Sequence, residues 1–314
     1  MNKQLKGSVM LLLAAIIWGF AFSAQEVVAQ KNVGVFSCGA SRSLIASLAL
    51  TLAVLAFDRI EKNGRFLLSR SKRPLSKREL VGGVACGTAL AVASALQQAG
   101  IGTSGAGKAS FITAMYVVLV PVAGAVLFRR HASAHLYLAV LLSLVGLGLI
   151  TLTGDLTLSA GDALLLLCAV CFCAQVLLVD HFLPGSDGIR LSLVQFMTCT
   201  VLNGLFALLF EEAPFAGVWD AAPSLLYLGL LSSGCAYTLQ ILGQRHCPAT
   251  PAAILMSTES LFGVMGAALF LGERLSLREY LGCAVLFLAV ILSELPLSRP
   301  AERGTEKGKG AEEP

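Results

Sequence analysis

Charged side chains are scarce in this sequence. They make up 13% of its 314 residues, whereas an average soluble domain carries about 25%. The chain also lacks a dense basic arm with interleaved aromatic residues, which excludes the usual modes of nucleic-acid binding. The net charge is only +4. The composition therefore argues against an ordinary soluble protein, and the placement of the few charges matters more than their sum.

Clusters of metal-binding or catalytic side chains are missing as well. The chain has four histidines; His131 and His135 would share a helix face, but the glutamate of the metalloprotease motif does not follow them. Cys168, Cys171 and Cys173 lie in an apolar run with no histidine or acidic residue beside them, so we interpret them as small apolar residues. We expect no enzyme activity, no metal site and no cofactor.

What the chain has in abundance is apolar sequence. Hydrophobic residues reach 56%, and they form runs of roughly twenty residues, which is enough to cross a hydrocarbon core of about 30 Å. The first run is too long for a signal peptide and is interpreted as a retained span. The sequence predicts an all-α integral membrane protein with ten transmembrane helices at 8–28, 35–57, 80–101, 105–127, 133–153, 160–179, 191–211, 222–243, 249–271 and 277–297.

Two stretches are predicted to lie outside the membrane. Residues 58–79 form a basic loop, and residues 298–314 form a charged tail of disordered composition. If both termini are cytoplasmic, the cytoplasmic segments hold 18 of the 23 Lys and Arg residues and the opposite side holds four, with Arg42 inside a span. This bias follows the positive-inside rule and predicts a multi-pass protein of the cell membrane with cytoplasmic termini.

The chain also contains a weak internal repeat. A shift of 143 residues places Ala114–Tyr137 over Ser257–Tyr280, with Ser133 on Ser276. This match predicts two five-helix repeats, over residues 8–153 and 160–297. Since five is odd, the repeats must be inverted relative to each other, an architecture that recurs in secondary transporters around a midplane site.

Several short motifs together suggest a family. They are Ile17-Trp18-Gly19-Phe20, Ser41-Arg42-Ser43-Leu44, Gly161-Asp162, Leu269-Phe270-Leu271-Gly272-Glu273-Arg274-Leu275-Ser276 and Tyr280-Leu281-Gly282. In this order and spacing the chain resembles the EamA-like ten-helix branch of the drug/metabolite transporter superfamily. The resemblance implies two inverted five-helix repeats around a central cavity, and transport of small metabolites or drugs, often outward, without ATP. It departs at Arg129-Arg130, where the family commonly has Gly-Glu, and at Glu259-Ser260, where it commonly has Glu-Pro.

Two charged residues are predicted at bilayer depth, where a charge costs about 3 kcal/mol on insertion scales. Glu259 lies near the middle of the ninth span and could exchange a proton during transport, because burial disfavours the charged carboxyl. It could also bind a cationic substrate, and the alternative to both roles is a structural tie to a neighbouring helix. Arg42 could bind a carboxylate or phosphate of a substrate, or it could pair with Glu26. Both are candidate substrate-binding or coupling residues.

Polar and aromatic residues inside other spans complete the candidate site. Trp18 and Tyr116 lie away from the interfacial belts where aromatic residues usually collect. Gln98, Tyr237 and Gln240 are further candidates for a cavity lining. For each of them the alternative is a role in holding helices together, since polar side chains often bond between membrane helices.

The function predicted from these features is secondary active transport by alternating access, with export favoured and protons as a coupling partner through Glu259. The expected partners are a small-molecule substrate and the lipid bilayer, with no nucleic acid, and the chain would act as a monomer or homodimer. The alternative function is a membrane receptor or scaffold that transports nothing. The sequence leaves the substrate, the direction and the coupling ion open.

Overall fold

The computed structural model describes residues 3–61, 74–128, 132–151, 159–263, 265 and 276–295, and every regular element in these ranges is helical. The predicted tail over 298–314 and most of the predicted basic loop lie outside the described residues. In chain order the helices are α1 (Lys3–Gln30), α2 (Val35–Glu61), α3 (Lys77–Ser104), α4 (Ala106–Ala114), α5 (Tyr116–Phe128), α6 (Ala134–Thr151), α7 (Ala160–Phe182), α8 (Gly188–Phe210), α9 (Ala222–Leu226), a π-helix (Tyr227–Ala236), α10 (Tyr237–Gln244), α11 (Ala249–Met256) and α12 (Leu277–Glu294).

Seven helical segments in the described ranges are long and apolar enough to cross a membrane. They are α1, the first 21 residues of α2, α3, residues 109–127, α7, α8 and residues 222–244, and α6 adds a shorter apolar segment. The prediction of an all-α membrane protein is confirmed. α2 continues to Glu61 and α3 begins at Lys77, so both helices extend into the ends of the predicted loop over 58–79.

Side-chain caps explain why three helices begin where they do. Ser76 and Glu79 form a reciprocal capping box at the start of α3, and equivalent boxes start α7 and α12. In each box the serine oxygen accepts from the backbone N–H three residues on, while the acidic side chain accepts from the serine N–H. These caps satisfy N–H groups that would otherwise lack partners at the helix ends.

Three predicted spans are not regular α-helices. The fourth is interrupted at Met115, between α4 and α5, and the ninth at Ser257 and Thr258, after α11. In the ninth, both hydroxyls bond back to carbonyls of the preceding turn, at 2.8 and 2.6 Å, so local bonds compete with the helical pattern. The eighth contains ten residues of π-helix. Pro121 lies inside α5, six residues beyond the interruption of the fourth span.

Close packing of the helices depends on glycine. α3 contacts α8 through Gly83 and Gly87, where an added Cβ would lie 2.5 Å from Val194 and from the Gln195 carbonyl oxygen. α1 and α10 approach through Gly7 and Gly243 in the same way. The Gly83-x-x-x-Gly87 pattern therefore allows α3 and α8 to approach closely.

The helix ends gather at two opposite ends of the bundle. At one end, which we call the basic end, α1, α3 and α8 begin and α7 and α10 finish; it carries Lys3, Lys6, Arg78, Arg190 and Arg245. Arg78 donates to the Phe182 carbonyl at 3.2 Å, and Arg245 donates to the Ser186 carbonyl at 2.7 Å. At the opposite end, the Glu211 carboxylate accepts from the Phe36 N–H at 2.7 Å, which places the end of α8 beside the start of α2.

Candidate functional site

A buried cavity of about 450 Å³, measured out to its mouth, lies between the helices. Its walls come from α1, α2, α3, α4, α5, α7, the π-helix, α10, α11 and residue 259. Six of the seven predicted site residues line it: Trp18, Arg42, Tyr116, Tyr237, Gln240 and Glu259.

Gln98 is the predicted residue that does not line the cavity. Its amide donates to the Gln25 carbonyl at 3.0 Å and accepts from the Gln25 side chain at 3.4 Å. Its neighbour Gln97 faces the cavity instead and accepts from the same Gln25 amide at 3.1 Å. The sequence could not distinguish the two, because both amides are near the end of α3 and a rotation of 100° per residue separates their faces.

Glu259 is the first residue after the interruption that follows α11. Its side chain is 5% exposed and lines the cavity, and it interacts electrostatically with Tyr116 and Tyr237. No described residue forms a hydrogen bond with its carboxyl group. The alternative of a structural tie to a neighbouring helix therefore has no hydrogen-bond partner among the described residues, and the role of this carboxyl stays a prediction.

Arg42, on α2, lines the cavity and is 6% exposed. Its Nε and Nη2 atoms donate to the hydroxyls of Ser233 and Ser232, each at 3.0 Å. The alternative partner, Glu26, instead accepts from the Ala106 N–H at the start of α4, at 3.2 Å. Arg42 is therefore a buried cation held by neutral groups of the π-helix, and no described carboxylate pairs with it.

The π-helix presents backbone as well as side chains to the cavity. The indole N–H of Trp18 donates to the Ser232 carbonyl at 3.1 Å. The Trp18 and Tyr237 rings lie 4.7 Å apart between centroids, so they form one aromatic wall. Wide helical turns of this type are often found at functional sites, because they re-aim carbonyls and side chains.

A chain of three amides extends from the cavity wall into the bundle. Gln240 donates to Gln175 at 3.0 Å, and Gln175 donates to Gln195 at 3.2 Å. With the amides assigned in this direction, Oε1 of Gln240 and Nε2 of Gln195 have no partner among the described residues. Reversal of all three amides would pair both atoms, so the Gln240 end can present either an acceptor or a donor.

Sequence reasoning missed several lining residues, including Gln25, Phe172 and Ser232. The first two were within reach of a helical-face argument. On α1, Trp18, Phe22 and Gln25 recur at the spacing of one face, and Phe172 precedes Gln175 and Val176 on α7 in the same way. Ser232 could not be found by a helical-face argument, because its position depends on the π-helix, which shifts the register of the eighth span.

A cation and a carboxyl group inside a bundle of apolar helices define the class of this protein as a multi-pass membrane protein with an internal polar site, which is typical of a transporter. Comparison with known families agrees. The chain belongs to the EamA-like transporter family, whose model matches residues 5–152 and then matches again over residues 159–295. The family resemblance is confirmed.

Individual relatives are similar along nearly the whole chain. An uncharacterized transporter of Archaeoglobus fulgidus is 26% identical over 293 residues, which cover 93% of this chain and 87% of that protein. The uncharacterized transporter YwfM of Bacillus subtilis is 26% identical over 302 residues, covering 91% and 92%. A solved crystal structure superposes with a TM-score of 0.73 at 16% identity, covering 92% of this chain and 98% of that one, and so shares the fold.

Proposed function

We propose that this protein is a secondary active transporter that moves a small metabolite or drug through the buried cavity by alternating access, with export favoured and with Glu259 as the proton-coupling group. The observation that carries the proposal is the Glu259 carboxyl in the cavity wall, with which no described residue forms a hydrogen bond. The titratable or charged groups around it are Tyr116, Cys168, Tyr237 and, on the same cavity, Arg42. Among them a carboxyl is the group best suited to exchange a proton near neutral pH when it is buried.

Alternating access suits a chain built from two inverted repeats, here proposed as residues 8–153 and 160–297. The family model matches once in each part. The helices α1 and α7, equivalent in this proposal, run in opposite directions, since α1 begins and α7 finishes at the basic end. The helices α2 and α8 also run in opposite directions, since α8 begins at the basic end and α2 begins at the opposite end. α3 packs on α7 and α8. In the proposed repeat relation, the segment that corresponds to α3 is the π-helix together with α10. Both parts of this segment pack on α1, and the π-helix also packs on α2, as exchange of the two repeats requires.

The interrupted helices support the same relation. With the 143-residue shift, Met115 falls on Thr258 and Tyr116 falls on Glu259. Both helices are interrupted at this point, and both of the residues that follow line the cavity. Broken helices at equivalent positions of two repeats are a recurring feature of transporter substrate sites.

The proposed orientation places the basic end in the cytoplasm, with the protein in the cell membrane. Lys3, Lys6 and Arg245 are near His246, and burial together with these cations lowers the pKa of that histidine. Cations gathered at one end of a bundle fit the positive-inside rule.

Solute flux through reconstituted protein tests the proposal. Proteoliposomes are given a panel of radiolabelled amino acids, monocarboxylates, amines and sugars, with and without a pH gradient. We expect at least one class to move faster than in empty liposomes and to respond to the gradient, and Glu259→Gln to remove the gradient response. Glu279→Gln is the matched control, because Glu279 is a partly exposed capping residue of α12 outside the cavity. Absence of flux across the panel would contradict transport and favour a receptor or scaffold.

A further inference from the structure

We propose that the substrate is a carboxylate with an apolar, preferably aromatic, body, and that Arg42 is the residue that selects it. This inference rests on the proposed function, because it assigns the ligand of the same cavity. Arg42 would bind the carboxylate group, while the aromatic wall packs against the rest of the molecule.

The first support is the unfilled donor capacity of Arg42. A guanidinium group has five N–H donors in a fixed fork, and the two serine hydroxyls use two of them. No described side chain with a negative charge bonds to the rest. A buried cation without a counter-charge is costly, so an anionic ligand would be strongly favoured at this position.

The second support is the way in which Arg42 is held. Ser232 and Ser233 are consecutive residues of the π-helix, and each takes one bond from a different guanidinium nitrogen. Two bonds fix the plane of the guanidinium while leaving its charge unneutralised. A fixed guanidinium fork matches the two oxygens of a carboxylate, which is a geometry that lysine cannot offer.

The charge of the cavity favours a carboxylate over a phosphate. Arg42 is the one cation among the described lining residues, and Glu259 lines the same cavity. These two groups do not bond to each other, and Tyr237 interacts electrostatically with both. A dianionic phosphate would meet one positive group and one acidic group, whereas a monoanion leaves a neutral pair with Arg42 and leaves Glu259 free for its proton.

The remaining wall describes the body of the ligand. Trp18, Tyr116, Phe172 and Tyr237 contribute aromatic rings to the cavity, and rings stack with planar apolar groups at about 0.5–1.5 kcal/mol per pair beyond simple burial. Gln240 adds a site for one polar substituent, since its Oε1 has no described partner. The ligand is therefore amphipathic, with the carboxylate toward α2 and the π-helix.

Thermal unfolding of purified protein tests this assignment with four compounds of matched shape: phenylacetate, phenylacetamide, phenethylamine and phenyl phosphate. Each is added at about 10 mM, which stabilises the folded state wherever the dissociation constant lies below that range. We expect phenylacetate to bind at least about tenfold more tightly than the amide, the amine or the phosphate, a difference of about 1.4 kcal/mol. Equal binding of acid and amide, binding of the amine alone, or absence of stabilisation by phenylacetate would overturn the proposal.

Variants of Arg42 test whether this residue causes the preference for phenylacetate. Arg42→Gln should abolish the preference for phenylacetate, and Arg42→Lys should weaken phenylacetate binding by about tenfold while keeping the preference, because the charge remains and the fork is lost. If the glutamine variant does not fold, the lysine variant still tests the role of Arg42. An unchanged affinity of Arg42→Lys for phenylacetate would contradict the assignment. Arg278→Gln is the control, since Arg278 is exposed and donates to the Gly148 carbonyl of α6, away from the cavity.

The binding readout separates this inference from the proposed function. Arg42-dependent binding of phenylacetate without flux would leave the ligand assignment intact and contradict transport. Flux of amines or sugars together with no phenylacetate binding would support transport and overturn the ligand assignment.

Discussion

The two interrupted helices bring different side chains to the wall of the cavity. After α4 the chain resumes with Tyr116, and after α11 it resumes with Glu259; both side chains are 5% exposed. The helices are also in contact, because the Ser260 hydroxyl donates to the Ser110 carbonyl at 3.2 Å. The cavity wall thus holds a phenol after one interruption and a carboxyl after the other. Under the proposed repeat relation, the coupling chemistry belongs to the second repeat alone.

α1 packs closely against the residues that follow the second interruption. α1 passes directly over it, and a Cβ added at Gly19 would lie 2.6 Å from Cβ of Phe262 and 2.7 Å from the Glu259 carbonyl oxygen. By contrast, an added Cβ at Gly107, at the start of α4 and eight residues before Met115, would meet nothing within 4 Å. The backbone of α1 therefore fixes the position of the residue that carries the Glu259 carboxyl. The start of α4, in contrast, has space for an added Cβ.

Exchanging the two residues should have the largest effect. Glu259→Tyr alone should abolish gradient-driven flux, and the added change Tyr116→Glu should restore at least about a tenth of it, because the carboxyl returns to the equivalent position of the cavity. Flux in proteoliposomes under a pH gradient measures both. If the exchanged protein folds, binds ligand and stays inactive, the two positions are not functionally equivalent.

Filling the space above the second interruption should have an intermediate effect. Gly19→Ala should destabilise the protein by about 1–3 kcal/mol through overpacking and should lower the flux, because it displaces the residue that carries the carboxyl. Thermal unfolding and flux check this, with Gly107→Ala as the control that should remain close to wild type. An equal loss of stability and flux in both variants would show that the close packing at Gly19 has no specific effect on function.

Removing the phenol of the first interruption should have the smallest effect. The Tyr116 hydroxyl forms no hydrogen bond with a described residue, so Tyr116→Phe should change stability by no more than about 0.5 kcal/mol and leave the response to pH intact. Flux measured from acid to neutral pH tests this. A lost pH response would move the coupling role, at least in part, to the phenol.

The comparison also explains how far the sequence could lead. Apolar runs and charge sidedness predicted the helical bundle, because the membrane imposes a length and a charge bias on each span. Charged and aromatic residues at bilayer depth predicted Glu259, Arg42 and Trp18 as cavity residues, since such groups must face protein or water.

The remaining features depend on tertiary structure. The interruption at Ser257 and Thr258 arises from hydroxyls that bond locally, which serines and threonines in many regular helices also do. The π-helix that brings Ser232 and Ser233 to Arg42 leaves no periodic pattern to detect. The choice between Gln97 and Gln98 depended on one helical position, within the uncertainty of any predicted span.

Counting the protons that accompany the solute tests the central claim most directly. Proteoliposomes that contain a pH-sensitive dye are supplied with phenylacetate, or with whichever panel solute moves, and solute and internal pH are recorded together. We expect internal pH to change in proportion to solute flux for the wild-type protein, and Glu259→Gln to exchange solute with no change in pH. Proton movement by Glu259→Gln at the wild-type ratio would contradict the account.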